Sequence, residues 1–313
     1  MAGEILSSGN PRRLLEGVRL WYGQAYKEFP KEYEMFMNTI KSDRAYEDII
    51  NMAGMGLAVK KPEGAPVVFD DIKQGYATRM IPSVYAKAFM ISQEAQEDDL
   101  YAPNLVALAS KAMARGMVQT KETLCANVLN NAFTAPAVQG VNGGGDNLSL
   151  ANSAHLLAKS SVTFSNVPST IVELSEAGLE QAHIDIAAWV DDAGLKINVK
   201  PMKLVISTTN EFNAQRILKS EQRVATTDND INALRSLGKF PGGVAILHYL
   251  TAAQPWFILT DQNDDSGLVL VEREGIEMKA DTDFDTQSDK FLIKERFVAA
   301  SGDPRCIYGV NAT

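Results

Sequence analysis

Between Asp98 and Asn131 the residues are spaced for one long helix. Tyr101, Leu105, Ala109, Met113, Met117, Thr120, Leu124 and Val128 recur at steps of three or four, which keeps them on one face of an α-helix. Lys111, Arg115, Lys121 and Glu122 fall mostly off that stripe. Asp98 and Asp99 offer acceptors to the free N–H groups of a first turn, and Pro103 sits where no donor is lost. At 1.5 Å per residue the element is about 45 Å long. Gly116 in its interior costs about 1 kcal/mol relative to Ala, so a close backbone approach is expected there. An ordinary core helix is one reading; a spine from which separate lobes hang is the other.

What flanks this helix differs on its two sides. Residues 1–45 read as an arm, with Arg12, Arg13 and Arg19 close together and an aromatic series of Trp21, Tyr22, Tyr26, Phe29, Tyr33 and Phe36 broken by Pro30. So short a segment cannot bury those rings alone. It docks either on its own core or on a neighbouring subunit. From Gly54 to Ala95, glycines and prolines punctuate short β-type runs at 57–59, 67–69 and 77–90, which predicts a long two-stranded excursion. An isolated hairpin is marginal in water, so oligomerisation follows.

After a glycine-rich passage at Gly140–Gly145, residues 150–264 read as a separate α/β lobe. Ser175 opens a helix carrying Leu179, Ala182, Ile186 and Val190 and stopping at Gly194. Strands are expected at 203–207, 244–250 and 256–260, a helix near 210–219, and a polar loop at 226–232. The chain then returns to β at 268–271, 276–279 and 291–299, with an acidic loop at 281–289.

Composition matters chiefly for what it excludes. A formal net charge of −9 argues against a freestanding nucleic-acid binder, though not against a shell that encloses nucleic acid. Cys125 and Cys306 are far apart, so no disulfide framework is expected and a reducing cytoplasm is the simplest home. No stretch reaches about 18 apolar residues, so neither a signal core nor a membrane span is expected. Gly238-Lys239 is followed by Phe240 and preceded by Ala233 where a phosphate loop needs Gly. His155, His183 and His248 show no metal spacing, and no cofactor motif occurs. The nearest approach to a calcium loop is Asp261, Asn263, Asp265 and Glu272, but Gly267 falls one residue late and Val269 offers no side-chain oxygen. Asp281, Asp283 and Asp285 begin a second such pattern that Thr286 and Leu292 break. An enzyme reading would use His155 or His183 with Asp185 or Asp191, and no spacing promises a pocket for it.

Four stretches carry a resemblance over nearly the whole chain. They are Ser42-Asp43-Arg44-Ala45-Tyr46-Glu47-Asp48; Lys60-Lys61-Pro62-Glu63-Gly64; Gln96-Glu97-Asp98-Asp99; and the closing set Val271 to Glu277, Lys294 to Phe297 and Asp303 to Gly309. Their order resembles the major capsid proteins of tailed bacteriophages, the Hong Kong 97 fold shared with encapsulin shells. The resemblance implies an α+β architecture: residues 1–45 as N-terminal arm, 46–95 as extended β-hairpin loop and flanks, 96–135 with 265–302 as spine and peripheral domain, and 136–264 with 303–313 as axial domain. It further implies a non-enzymatic structural protein of the virion, made in the bacterial cytoplasm. Pentamers and hexamers would close into an icosahedral shell around double-stranded DNA, without sequence-specific contacts or a membrane. An encapsulin-like compartment is the alternative. Many relatives carry an N-terminal scaffolding extension that does not precede this arm, so either scaffolding is a separate protein or the extension has been removed; separate scaffolding and portal proteins are the expectation. Arg12, Arg13, Arg19, Lys60, Lys61 and Arg79, with Asp281, Asp283 and Asp285, are the candidates for the assembly interface. Some relatives join an extended-loop Lys to a neighbour's Asn. From Leu268 to Asp303 there is no Asn, so no covalent cross-link is expected.

Overall fold

The computed structural model describes residues 11–92, 94–95, 105–134, 145–160, 162–222, 231–264, 266–283, 285–286 and 288–312, with the backbone alone at 11–14. In chain order come α1 (Pro11–Glu28), β1 (Asn38–Lys41), β2 (Glu47–Ala53), β3 (Lys73–Met80), β4 (Ser83–Ser92) and the long α2 (Leu105–Asn130). Then follow β5 (His155–Leu156), β6 (Thr163–Phe164), α3 (Glu176–Ala187), β7 (Pro201–Ser207), α4 (Glu211–Lys219) and α5 (Ala233–Ser236). The chain closes with β8 (Val244–Leu247), β9 (Trp256–Thr260), β10 (Leu268–Asp283), β11 (Ser288–Ser301) and β12 (Ile307–Val310).

Two four-stranded sheets organise these elements, in the orders β1-β10-β11-β4 and β12-β9-β7-β8. In each, one edge strand pairs in parallel, β1 with β10 and β8 with β7, while the other pairings are antiparallel. Side chains alternate across a strand, and β9, buried along its whole length, serves two cores by that rule. Phe257 and Leu259 join Cys125, Val128 and Leu129 of α2 and Leu268, Leu270 and Phe297 of the first sheet. Trp256 and Ile258 face Leu179, Ala182 and Ile186 of α3 and Ala214 and Ile217 of α4. Cys125 and Cys306 are both buried free thiols in the first of these cores.

The long helix spans 26 described residues; Asp98, Asp99, Tyr101 and Pro103, which the sequence places at its start, lie outside the described residues. Its buried face is Val106, Ser110, Met113, Ala114, Met117, Val118, Lys121, Glu122, Cys125, Ala126, Val128 and Leu129. That corrects the expected stripe. Leu105 is exposed, Ala109, Thr120 and Leu124 are half-buried, and Lys121 and Glu122 lie within the packed face. The reason is two-sided packing: α1 covers one flank through Tyr22 and Ala25, and Ile293 of β11 meets the other. The arm's α1 therefore docks on its own subunit, and β1 adds a strand to the first sheet. Gly116 is indeed approached closely, by the Lys87 side chain rather than by backbone.

Several expected β runs are also redrawn. The ribbon strands are β2 and β3, in register from Glu47 opposite Met80 to Ala53 opposite Lys73. The runs at 57–59 and 67–69 form no strand; residues 54–72 are one irregular loop. The run at 77–90 is two strands in different sheets, divided at Pro82, which has no N–H to continue a ladder. Residues 268–271 and 276–279 belong to one strand with register shifts between Glu272 and Glu277, where Gly275 tolerates the irregularity. Consequently Asp281 and Asp283 are strand residues, and the expected acidic loop shrinks to the tip. The helix opened by Ser175, whose Oγ caps the Gly178 N–H at 3.2 Å, ends at Ala187 rather than Gly194. Asp191 Oδ1 accepts the Ala193 and Leu195 N–H groups, a turn that competes with further helix. Strand β8 likewise stops at Leu247. Of the two loops expected at 140–145 and 226–232, residues 140–144 and 226–230 lie outside the described residues.

Candidate assembly surface

Most apolar side chains of loop 54–72 point into solvent. Phe69 is 95% exposed and Leu57 80%, with Val59, Val67 and Val68 also in water. The loop curls round a groove of about 810 Å³ lined by Leu57, Val59, Pro62, Val67 and Phe69. Contiguous exposed apolar surface of this kind marks an interaction site. Lys60 and Lys61 are exposed on the same loop.

The other interface candidates lie in separate places. Arg79, on β3, forks onto Asp48 of β2, with Nε–Oδ1 and Nη2–Oδ2 both 2.8 Å, and stacks over Tyr46 at 4.1 Å. Asp281, Asp283 and Asp285 sit at the far end of the β10–β11 hairpin. There the Lys290 ammonium, 2.6 Å away, and the Asp285 N–H hold the Asp283 carboxyl below its usual range. Arg19 is exposed on α1; the side chains of Arg12 and Arg13 are outside the described residues.

The described residues of the candidate calcium set are engaged elsewhere. Asp265 is outside the described residues, Asp261 Oδ1 accepts the Lys200 N–H, and Asn263 bridges the Phe36 carbonyl and the Leu268 N–H. Glu272 stands on β10, where an extended rise of about 3.3 Å per residue carries it away from the loop it would have to close. Among the described residues no three His, Cys, Asp or Glu side chains gather as a metal site. The expected catalytic pairs do not form either. His155 is bound to Asp146 at 2.8 Å, and Asp185 accepts the Tyr308 hydroxyl at 2.7 Å. His183 packs against Phe240, and burial, with the Lys239 charge, lowers its pKa to about 4.

Three buried charge clusters are absent from the sequence reading. Lys121 Nζ lies 2.8 Å from Glu295 Oε2 and 3.0 Å from Glu272 Oε1, clamping α2 to both strands of the β10–β11 hairpin. Arg305, over the Phe164 ring at 4.6 Å, binds Asp192 at 2.8 Å, Asp303 at 3.3 Å and the Val190 carbonyl. This gives the closing Asp303-Pro304-Arg305 stretch a structural purpose. Glu122, 2% exposed, accepts the Glu32 N–H at 2.9 Å and the Tyr33 N–H at 3.0 Å, which seats the end of the arm on the spine.

Burial raises the Glu122 pKa to about 7, against the pull of those two amides and helped by the Glu32 and Glu34 charges. The folded state thus holds this proton more tightly than the unfolded chain, whose value is about 4.3. That contribution is fully present below the unfolded value and is lost as pH rises through about 7. Glu122→Gln is therefore expected to flatten the decline in urea midpoint between about pH 5 and about pH 8. A slope identical to that of the unaltered protein would refute the assignment.

A family model described as phage capsid protein matches residues 76–310. No curated protein matches the chain. Among solved structures, it is similar to the capsid of a native GTA particle computed with C5 symmetry, at 12% identity and TM-score 0.54, over 99% of this chain and 92% of that one. The capsid of Ralstonia phage GP4 is similar at 11% identity and TM-score 0.53, over 88% and 86%. A virus-like particle from Pyrococcus furiosus is similar at 13% identity and TM-score 0.51, over 95% and 98%. At these identities the likeness is one of fold.

Proposed function

Because the chain belongs to the phage capsid protein family, we propose that it builds its shell as pentamers and hexamers through loop 54–72, which docks on a neighbouring copy. It is a structural major capsid protein of the virion, with an α+β fold of the Hong Kong 97 type, and it is not an enzyme. Phage membership favours a genome container over a cargo compartment. It associates with copies of itself, as the capsid assemblies of similar fold do.

The observation that carries the docking reading is the exposed apolar face of the loop, above all Phe69. Within the same reading, residues 1–45 act as arm, 46–95 as extended loop and flanks, 96–135 with 265–302 as peripheral unit, and 136–264 with 303–313 as axial unit. Arg12, Arg13 and Arg19 serve arm docking or the phosphates of enclosed double-stranded DNA. Lys60 and Lys61 meet acidic groups such as Asp281, Asp283 and Asp285 across subunits, without a covalent link, and Arg79, held on Asp48, lies at the same interface. Scaffolding and portal proteins are its further partners, and assembly takes place in the host cytoplasm.

Size-exclusion chromatography followed by electron microscopy tests this. Closed particles with five- and six-fold capsomers are expected, and boiled, reduced particles should run as one band near 34.1 kDa. A subunit that stays monomeric with its scaffolding protein supplied would overturn the docking reading; a ladder of covalent oligomers would overturn the absence of cross-links.

A further inference from the structure

Loop 54–72 has a solvent-facing body, but its neck is held. Lys159, on the turn after β5, places its ammonium where the loop leaves β2 and where it returns to β3. Nζ lies 3.4 Å from the Gly54 carbonyl, 2.7 Å from Asp70 Oδ1 and 3.4 Å from Asp71 Oδ1, and it also donates to the Asp71 carbonyl. Asp70 adds a second stitch, since its Oδ2 accepts the Gly56 N–H and its Oδ1 the Asp71 N–H. The Lys159 hydrogen bond, followed by those two amides, lowers the Asp70 carboxyl pKa to about 2.

The cation comes from a different part of the fold. The Lys159 N–H donates to the Asp192 carbonyl at 3.1 Å, and its side chain is only 15% exposed. The ribbon also touches this region through its backbone. A Cβ added to Gly75 of β3 would stand 3.4 Å from the Ala158 Cβ. One ammonium thus gathers both ends of the loop and ties them to the turn that follows β5.

We propose that Lys159 is a positioning residue for assembly: by gripping Gly54, Asp70 and Asp71 it fixes the direction in which the apolar loop projects toward a second copy of this chain. This rests on the docking reading given above. The clasp's carboxylates stand largely in water, and ion pairs to such groups add little to folding stability, so the main effect of the clasp is expected at the interface. A loop already aimed at its partner has less freedom to lose on binding.

The test separates aim from docking. In unassembled full-length subunits, spin labels at Lys61→Cys and Gln181→Cys report the loop's direction; Cys125 and Cys306 are buried. Lys159→Met is expected to broaden that distance distribution at least twofold and to slow assembly about tenfold, with an unchanged urea midpoint. Lys159→Arg should restore both. Asp70→Asn with Asp71→Asn attacks the clasp from the other side and should reproduce the loss even if Lys159→Met folds poorly. An unchanged distribution, or normal assembly of both clasp variants while Phe69→Ser fails to assemble, would overturn the clasp and leave docking intact. Normal assembly of Phe69→Ser would overturn docking itself, and the assembly role of Lys159 with it.

Discussion

Lys121→Met is expected to destabilise the subunit by about 3–5 kcal/mol at neutral pH, the largest loss of any single substitution considered. The substitution keeps the length and the apolar stem of the side chain but removes the charge between Glu272 and Glu295. Glu295 is 3% exposed, and its second oxygen already lacks a hydrogen bond. Breaking a buried ion pair from one side costs about 3–5 kcal/mol, against a total stability of about 5–15 kcal/mol. Burial works against the Lys121 charge, and the two carboxylates outweigh it, so its pKa stands above the ordinary lysine value. A raised lysine contributes fully below its unfolded value and loses that contribution only as pH climbs through the folded one. The clamp is therefore intact throughout the neutral range. Adding Glu272→Gln and Glu295→Gln should recover much of the loss at neutral pH. Circular dichroism and urea titration read both the loss and its recovery. A Lys121→Met protein as stable at pH 7 as the unaltered one would show that the cluster holds nothing together.

That clamp also marks where sequence reading reaches its limit. Periodicity found α2, but it assigned Lys121 and Glu122 to the solvent side because charged residues are almost never fully buried unless paired. Their partners are Glu272, Glu295 and the amides of Glu32 and Tyr33, between 89 and 174 residues away in sequence. No local window contains both halves of such a pair. The same limit explains β10, read as two strands because the irregularity around Gly275 breaks the alternation that a window counts. It explains the Lys159 clasp too, whose oxygens are 88 to 105 residues earlier.

The loop failed for a different reason. Leu57-Ala58-Val59 and Val67-Val68-Phe69 carry β-branched and aromatic side chains that fit a pleated, half-buried surface. Within one subunit that surface is missing, so the runs stay irregular and exposed while β2 and β3 form the ribbon beneath them. What the composition did convey was a need for cover, which the proposed docking on a neighbouring copy would meet.

Val68→Ser combined with Phe69→Ser is accordingly expected to abolish assembly and leave the subunit folded. Both side chains are largely in water already, Val68 at 70% and Phe69 at 95% exposure, so folding loses almost nothing when they become polar. Substitutions at such positions usually change stability by no more than about 0.5 kcal/mol. Docking is another matter. Taking a side chain of this kind fully out of water is worth about 1.5–3 kcal/mol, so the pair supplies about 3–6 kcal/mol to each contact. At 1.4 kcal/mol per tenfold, each loop-to-neighbour association weakens by about 10² to 10⁴. A shell repeats that contact through every subunit, which turns a weakened pairwise affinity into a sharp loss of closed particles. The measurement pairs a urea midpoint, expected to match the unaltered protein, with light scattering across a concentration series, expected to show no particles where the unaltered protein assembles. A double variant that assembles at the unaltered concentration would mean the loop packs against no neighbour.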